Sequence, residues 1–308
     1  VKRSLLLLGV VWLTACGDPV DPPALTPPPA ATRDAPSPPK AVALSSRLSY
    51  PAATRLVAIG DLHGDLEAAK KALRLARAID ASDTWIGGKL VVVQTGDVLD
   101  RGDADRDVLD FLGDLKEAAE RAGGAVILLS GNHEFMNVAR DFRYVTPGGF
   151  TAFVDANGRG AAFQPGGPYA QKLAQRPFMA RVGDTLFVHG GILPKHVRYG
   201  LDRMHDEAKA WMLGQRAVPP EIMQAEDAPV WSRAYSDAPD AAACAALNEV
   251  LTSLESKRMV VGHTVQKAGI STACEERVFR IDVGLAKFYG GPMQVLEIQD
   301  GKVSILRE

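Results

Sequence analysis

After residue 50 the chain carries five short apolar runs, and each stops at the same kind of residue. RLVAIG (55–60) leads into DLHGD, and LVVVQT (90–95) into GDVLDRGD. AVILLS (125–130) leads into GNHE, TLFV (185–188) into HGG, and RMVVG (258–262) into HT. Short runs rich in β-branched residues predict buried strands. Helical patterns separate the first three. In DLEAAKKALRLARAI, Leu66, Ala69, Leu73 and Ala76 share one face. In ADRDVLDFLGDLKEAAERAG, Val108, Leu109, Leu112 and Leu115 do so, and Gly123 marks the stop. Strand–helix–strand alternation predicts crossover units and a largely parallel sheet. Ligands of such sheets bind beyond the carboxyl ends of the strands, where all five polar clusters would converge. Near the end, MQVLEIQ (293–299) and KVSILRE (302–308) flank Asp300-Gly301, a hairpin signal.

Two other stretches lack this pattern. VKRS followed by LLLLGVVWL and LTAC reads as a secretory leader, because the apolar run falls short of the about 20 residues that span a bilayer. LTAC resembles a bacterial lipobox. Residues 1–16 are then a lipoprotein signal, Cys16 carries a lipid anchor, and the protein sits in the bacterial cell envelope, facing periplasm or cell surface. The alternative is an ordinary signal peptide in which Cys16 is incidental. Residues 17–50 form a tether: 9 of the chain's 20 prolines fall here and large apolar residues are scarce. The folded domain is expected over 51–308. Within it, the stretch between GNHE and HGG is rich in glycine and aromatics and shows little helical period. A second insert follows HGG, with a short helix over 204–213. Both inserts are expected above the strand ends, where loops on a rigid scaffold shape a pocket.

The chain has 308 residues, 46% hydrophobic and 23% charged, which suits a globular domain with a sizeable core. Its net charge of −2 provides no basic surface, which excludes nucleic acid as a first choice of partner. Of the 6 histidines, His63, His133, His189 and His263 stand at strand ends, beside Asp61, Asp97, Asp100 and Asn132. Carboxylate, imidazole and amide without thiolate suit first-row metal ions and argue against a zinc knot or an iron–sulfur cluster. There are too many ligands for one ion. Two ions about 3.5–4 Å apart, sharing one carboxylate, would use them all.

GDLHGD, GDVLDRG, GNHE, HGG and GHT resemble, in order, the signature blocks of the calcineurin-like metallophosphoesterases, phosphoprotein phosphatase branch. VWSRAY (230–235) and RIDVGLAKFYGG (280–291) resemble those of bacterial Shewanella-like phosphatases. The resemblance implies an α/β fold with two packed mixed sheets flanked by helices, and a dinuclear site at the strand ends. It implies that Asp61, His63 and Asp97 hold one ion, and that Asp97, Asn132, His189 and His263 hold the other. Manganese is the first choice, with iron, zinc or cobalt as alternatives. A metal-bridging hydroxide would attack phosphorus, Arg101 and Arg233 would clamp the phosphoryl oxygens, and His133, oriented by Asp100, would protonate the leaving oxygen. Asp65 and Glu134 would support neighbouring ligands or cap helices. Tyr235 and Tyr289 are either pocket walls or core-edge aromatics.

The substrate implied is a phosphorylated protein or peptide, on tyrosine or on serine and threonine. Small phosphate compounds such as diadenosine tetraphosphate or nucleotides are the second reading. A non-catalytic metal-binding lipoprotein is the third. Cys244 and Cys274 either pair or stay as two thiols.

Overall fold

A computed structural model describes residues 41–153 and 158–308. The expected leader, Cys16 and most of the proline-rich stretch lie outside the described residues. The strands are β1 (Ser49–Tyr50), β2 (Arg55–Ile59), β3 (Val91–Gln94), β4 (Ala125–Leu128), β5 (Met179–Val182), β6 (Thr185–Val188), β7 (Arg258–Val261), β8 (Ser271–Ala273), β9 (Val278–Arg280), β10 (Gln294–Gln299) and β11 (Lys302–Arg307). The helices are α1 (Leu66–Leu75), α2 (Asp105–Arg121), α3 (Asn132–Val138), α4 (Pro147–Thr151), α5 (Arg159–Phe163), α6 (Pro168–Leu173), α7 (Pro194–Tyr199), α8 (Leu201–Met212), α9 (Glu221–Gln224) and α10 (Ala241–Ser253).

Two mixed sheets result. One has the order β11-β10-β2-β3-β4, the other β1-β5-β6-β7-β9-β8. β2, β3 and β4 run parallel, as the crossover pattern predicts, and β10 closes their edge antiparallel. Alternate side chains of each strand enter different layers. Leu56, Ala58, Val93 and Ile127 meet Val182, Phe187 and Val260 between the sheets. Their neighbours Val57, Ile59, Val92 and Val126 join Leu73, Leu109 and Leu112 under the outer helices. Burial on both faces is why these strands read as unbroken apolar runs. The Asp300-Gly301 turn has positive φ at both residues, 50° and 77°, as a tight hairpin requires.

Some features depart from the sequence pattern. The segment with little helical period contains α4, α5 and α6. Each is under two turns, too short for periodicity to register, and local caps start them: Thr146 Oγ1 accepts the Gly149 N–H, and Pro147 and Pro168 open α4 and α6. The helix expected over 204–213 is α8, which begins at Leu201 and ends at Met212. Trp211 stacks on Phe135, and Asp202 and Asp206 bind Ser45 and Arg47. Its apolar stripe of Met204, Ala208, Trp211 and Met212 joins the main core. Packing begins ahead of residue 51: Val42 N–H bonds the Ser253 carbonyl, and Leu48 is fully buried. Cys244 on α10 and Cys274 after β8 are disulfide-bonded, with Cα atoms 5.3 Å apart. No described helix is long and apolar enough to cross a membrane.

Candidate metal centre

The carboxyl ends of β2, β3, β4, β6 and β7 deliver Asp61 and His63, Asp97, Asn132 and His133, His189, and His263 to one place. Sharp turns do this. His63, Asp97, Asp100, Arg101 and His263 all have positive φ, 44° to 70°. That region costs a non-glycine residue about 1–2 kcal/mol and persists where the surroundings over-determine it. Glycine permits the closest approach. A Cβ on Gly96 (φ 99°) would lie 2.5 Å from Gly131 N, and one on Gly131 would collide with the Asp97 carboxylate. The GD and GNHE blocks therefore touch through their glycines. Glu134 fastens them further, since its carboxylate accepts the N–H groups of Asp97, Val98, Leu99 and Gly131. Asp65 accepts from Ala68 N–H and caps α1.

Asp97 Oδ2 is the centre of the cluster. It lies 3.2 Å from His189 Nε2, 3.8 Å from His133 Nε2 and 3.9 Å from His63 Nε2. His63 Nδ1 bonds the Leu99 carbonyl and His189 Nδ1 the Thr95 carbonyl, both at 3.0 Å. Those bonds need a proton on Nδ1 and leave the Nε2 lone pairs facing inward. Asn132 Oδ1, itself an acceptor, stands 2.9 Å from His189 Nε2. His263 Nε2 is buried with no partner, and His263 N–H reaches Asp61 at 3.2 Å. Asp97 Oδ2, Asn132 Oδ1 and the inward Nε2 atoms thus crowd together. Two sets, His63–Asp97–His133 and Asp97–His189–His263, each bring their donor atoms within 4.8 Å and share Asp97. This arrangement fits a pair of cations with Asp97 common to both.

The electrostatics agree with that reading. Burial pushes His63 down to about 3 and His263 to about 2, so both are neutral and ready to ligate at neutral pH. Burial also drives Asp61 well above the usual carboxylate range, and Asp282 and Asp97 add to it by repulsion. For Asp97 burial pulls upward too, but His189 and His133 outweigh it and hold the carboxyl well below its ordinary value.

The remaining expected residues flank this cluster. His133 Nδ1 lies 2.6 Å from Asp100 Oδ2, so the two form a bonded pair. His133 Nε2 is as near Asp97 as His63 is, and distance alone does not separate it from the ligands. Arg101 is stacked against Tyr144, Tyr289 and Phe288, 4.9, 5.2 and 5.6 Å from its guanidinium carbon to each ring. Arg233 bonds Thr264 Oγ1 and the His263 carbonyl, beside the second ligand set. Tyr289 is at the site, its ring 5.4 Å from that of His63. Tyr235 is fully buried with its hydroxyl on the Ile192 carbonyl, a core residue.

Several residues escaped the sequence reading. Asp282, buried after β9 and pushed up to about 6 by burial, stands beside Asp61. Its signal was present, an acid ending the apolar run of the RIDVG block. Tyr144, whose ring lies 5.2 Å from that of His133, and Arg159, buried behind Asp100, come from the aperiodic insert and carried no local signal.

Comparison with known proteins places this geometry. The family model described as calcineurin-like phosphoesterase matches residues 54–267. Shewanella-like protein phosphatase 2 of Arabidopsis thaliana is 39% identical over 304 residues, covering 83% of this chain and 77% of that one. Shewanella-like protein phosphatase 1 of Plasmodium berghei is 33% identical, covering 82% and 74%. The cold-active protein-tyrosine phosphatase of a psychrophilic Shewanella superposes with a TM-score of 0.73 at 25% identity, covering 87% of this chain and 83% of its own. A Saccharomyces cerevisiae protein serine/threonine phosphatase shares the fold, with a TM-score of 0.58 at 16% identity. With two mixed sheets meeting at a shared His and Asp cluster, the chain belongs to the calcineurin-like phosphoesterases, a family of metal-dependent phosphoester hydrolases.

Proposed function

We propose that the chain is a phosphoprotein phosphatase that prefers phosphotyrosine. The observation that carries the reading is Arg101, held among three aromatic rings at the edge of the metal cluster. A guanidinium there can fork onto a phosphate. Tyr144 and Phe288 are exposed large aromatics beside it, 41% and 63% accessible, placed to meet an aryl ring entering with the phosphate. His63, Arg101, Thr146, Lys287 and Phe288 border an open groove of about 540 Å³. Such a groove suits a peptide better than an enclosed nucleotide pocket. The relatives named as protein phosphatases, and the solved tyrosine phosphatase, support the same reading.

Asp61, His63 and Asp97 would hold one ion, and Asp97, Asn132, His189 and His263 the other, with manganese as the metal. When bound, the ions supply an acidified water and neutralise phosphoryl charge. The chain does the rest. Arg101 and Arg233 orient the phosphoryl oxygens for in-line attack. His133 Nε2 gives its proton to the departing oxygen as the P–O bond breaks, and Asp100 holds the imidazole from the other side.

The test uses residues 41–308, stripped with chelator and reloaded with manganese. kcat/KM should be highest on a phosphotyrosine peptide, above a matched phosphoserine peptide and diadenosine tetraphosphate. The double variant Tyr144→Ala, Phe288→Ala should lose roughly 10-fold on phosphotyrosine and little on phosphoserine, since each aromatic pairing contributes about 0.5–1.5 kcal/mol. Faster turnover of the dinucleotide would move the enzyme to small substrates. No turnover of any with two metals bound would make it a binding module.

The site of action proposed is the bacterial cell envelope, with the chain lipid-anchored through Cys16. The Cys244–Cys274 disulfide supports export, because disulfides persist in oxidising compartments. Mass spectrometry of the full chain from its host should find a glycerolipid on Cys16 and no residue before it. An unmodified mature N-terminus would remove the anchor.

A further inference from the structure

Behind the His133–Asp100 pair lies a charge that the roles above do not use. Arg159, in α5, is fully buried. Its Nη2 donates to Asp100 Oδ1 at 2.9 Å, its Nη1 to the Gly149 carbonyl at 2.8 Å, and its Nε to Asn137 Oδ1 at 2.8 Å. Nη1 also pairs with Asp105 Oδ2 at 2.5 Å, and Asp105 Oδ1 accepts the Asp100 N–H at 2.8 Å. Asn137 Nδ2 completes the set by donating to Asp100 Oδ1 at 2.9 Å. Phe153 and Phe163 cover the guanidinium, 5.2 and 5.0 Å from its carbon.

We propose that Arg159 is a positioning residue for proton transfer, acting through Asp100 on His133. Asp100 has two oxygens and three side-chain donors around it. Arg159 and Asn137 both occupy Oδ1. That leaves Oδ2 for His133 alone and fixes the carboxylate plane so that Oδ2 faces the imidazole. Without the fork, the carboxylate can rotate about its Cβ–Cγ bond, and the imidazole loses the partner that sets its aim. A buried arginine could otherwise only fasten the insert to the domain. Yet a plain fastener would not need its acceptor on the very carboxylate that orients a catalytic imidazole. The inference rests on His133 as the proton donor.

The leaving group separates the two roles. An ester of an acidic phenol departs without a proton, whereas phenol itself needs one, so loss of aim slows only the second. The variants are Arg159→Lys, which keeps the charge but not the planar fork, and Asn137→Ala, which removes the other donor to Oδ1 together with the acceptor of Arg159 Nε. His133→Asn is the reference. Each is loaded with manganese and assayed on 2,4-dinitrophenyl phosphate and phenyl phosphate, with bound metal counted by mass spectrometry. Arg159→Lys should keep two ions and stay within about 3-fold on the dinitrophenyl ester, while losing about 30-fold on phenyl phosphate, the scale on which supporting partners act. If it does not fold, Asn137→Ala should show the same split at smaller size. Equal losses on both esters, loss of metal, or no loss overturns the proposal, provided that His133→Asn shows the split. If His133→Asn shows none, the donor role falls and this inference with it.

Discussion

Asp97→Asn is expected to lose metal and turnover together. The wild-type carboxylate serves every party at once. Its Oδ1 accepts the His133 N–H at 2.9 Å, and its Oδ2 faces three imidazoles. An amide has one acceptor. If its oxygen serves the backbone, its NH₂ points at the ligand nitrogens, where a cation belongs. If the oxygen faces the cations, a buried backbone donor is opposed by a second donor. Neither arrangement brings the negative charge that two adjacent cations need between them. The variant should bind fewer than two ions per chain, and kcat/KM should fall by at least about 10³-fold, about 4 kcal/mol of transition-state stabilisation. Metal counting beside steady-state kinetics on the phosphotyrosine peptide checks it. Full occupancy with near-normal turnover would remove Asp97 from the centre.

His133→Asn is expected to behave differently, although His133 Nε2 is as close to Asp97 as His63 is. His133 is the one imidazole of the group whose Nδ1 is bonded to a carboxylate. Burial works against its charged form, but Asp97 and Asp100 outweigh burial and raise it above the ordinary histidine value. His63 and His263, pushed the other way, are suited to donate lone pairs instead. The variant should therefore retain two ions and lose about 10²–10⁴-fold in kcat on substrates with poor leaving groups. Loss of one ion would place His133 among the ligands and leave the leaving oxygen without its acid.

These residues were legible in the sequence for a physical reason. A metal ligand at a strand end is set by local chain. An apolar run fixes the strand, a glycine allows the turn, and the next residue must be Asp, Asn or His. Asp61, Asp97 and Asn132 all follow that grammar. Asp282 lacks the glycine before it, following Ile281 directly, yet as an acid ending an apolar run it could have been read from RIDVG. Arg159 and Tyr144 could not. Each reaches the site from an insert whose path depends on caps at Thr146 and Pro168 and on aromatic packing among Phe153, Phe163 and Tyr169. Neither carries a pattern in its own neighbourhood. The fold was legible where strands were buried on both faces, and opaque where helices were shorter than two turns.

The disulfide has a consequence for how the molecule is best made. Cys244 and Cys274 close a loop with a sequence separation of 30, and that loop contains β7 and His263. Linking its ends removes freedom from the unfolded chain, about 3.5 kcal/mol on the chain-entropy estimate for this length. That is a large fraction of the roughly 5–15 kcal/mol by which domains exceed their unfolded state. Chain produced in a reducing cytoplasm would forgo it. The same sequence would then yield two materials from two compartments, of one fold but unequal durability, and the weaker would be the one most easily taken for a poor enzyme.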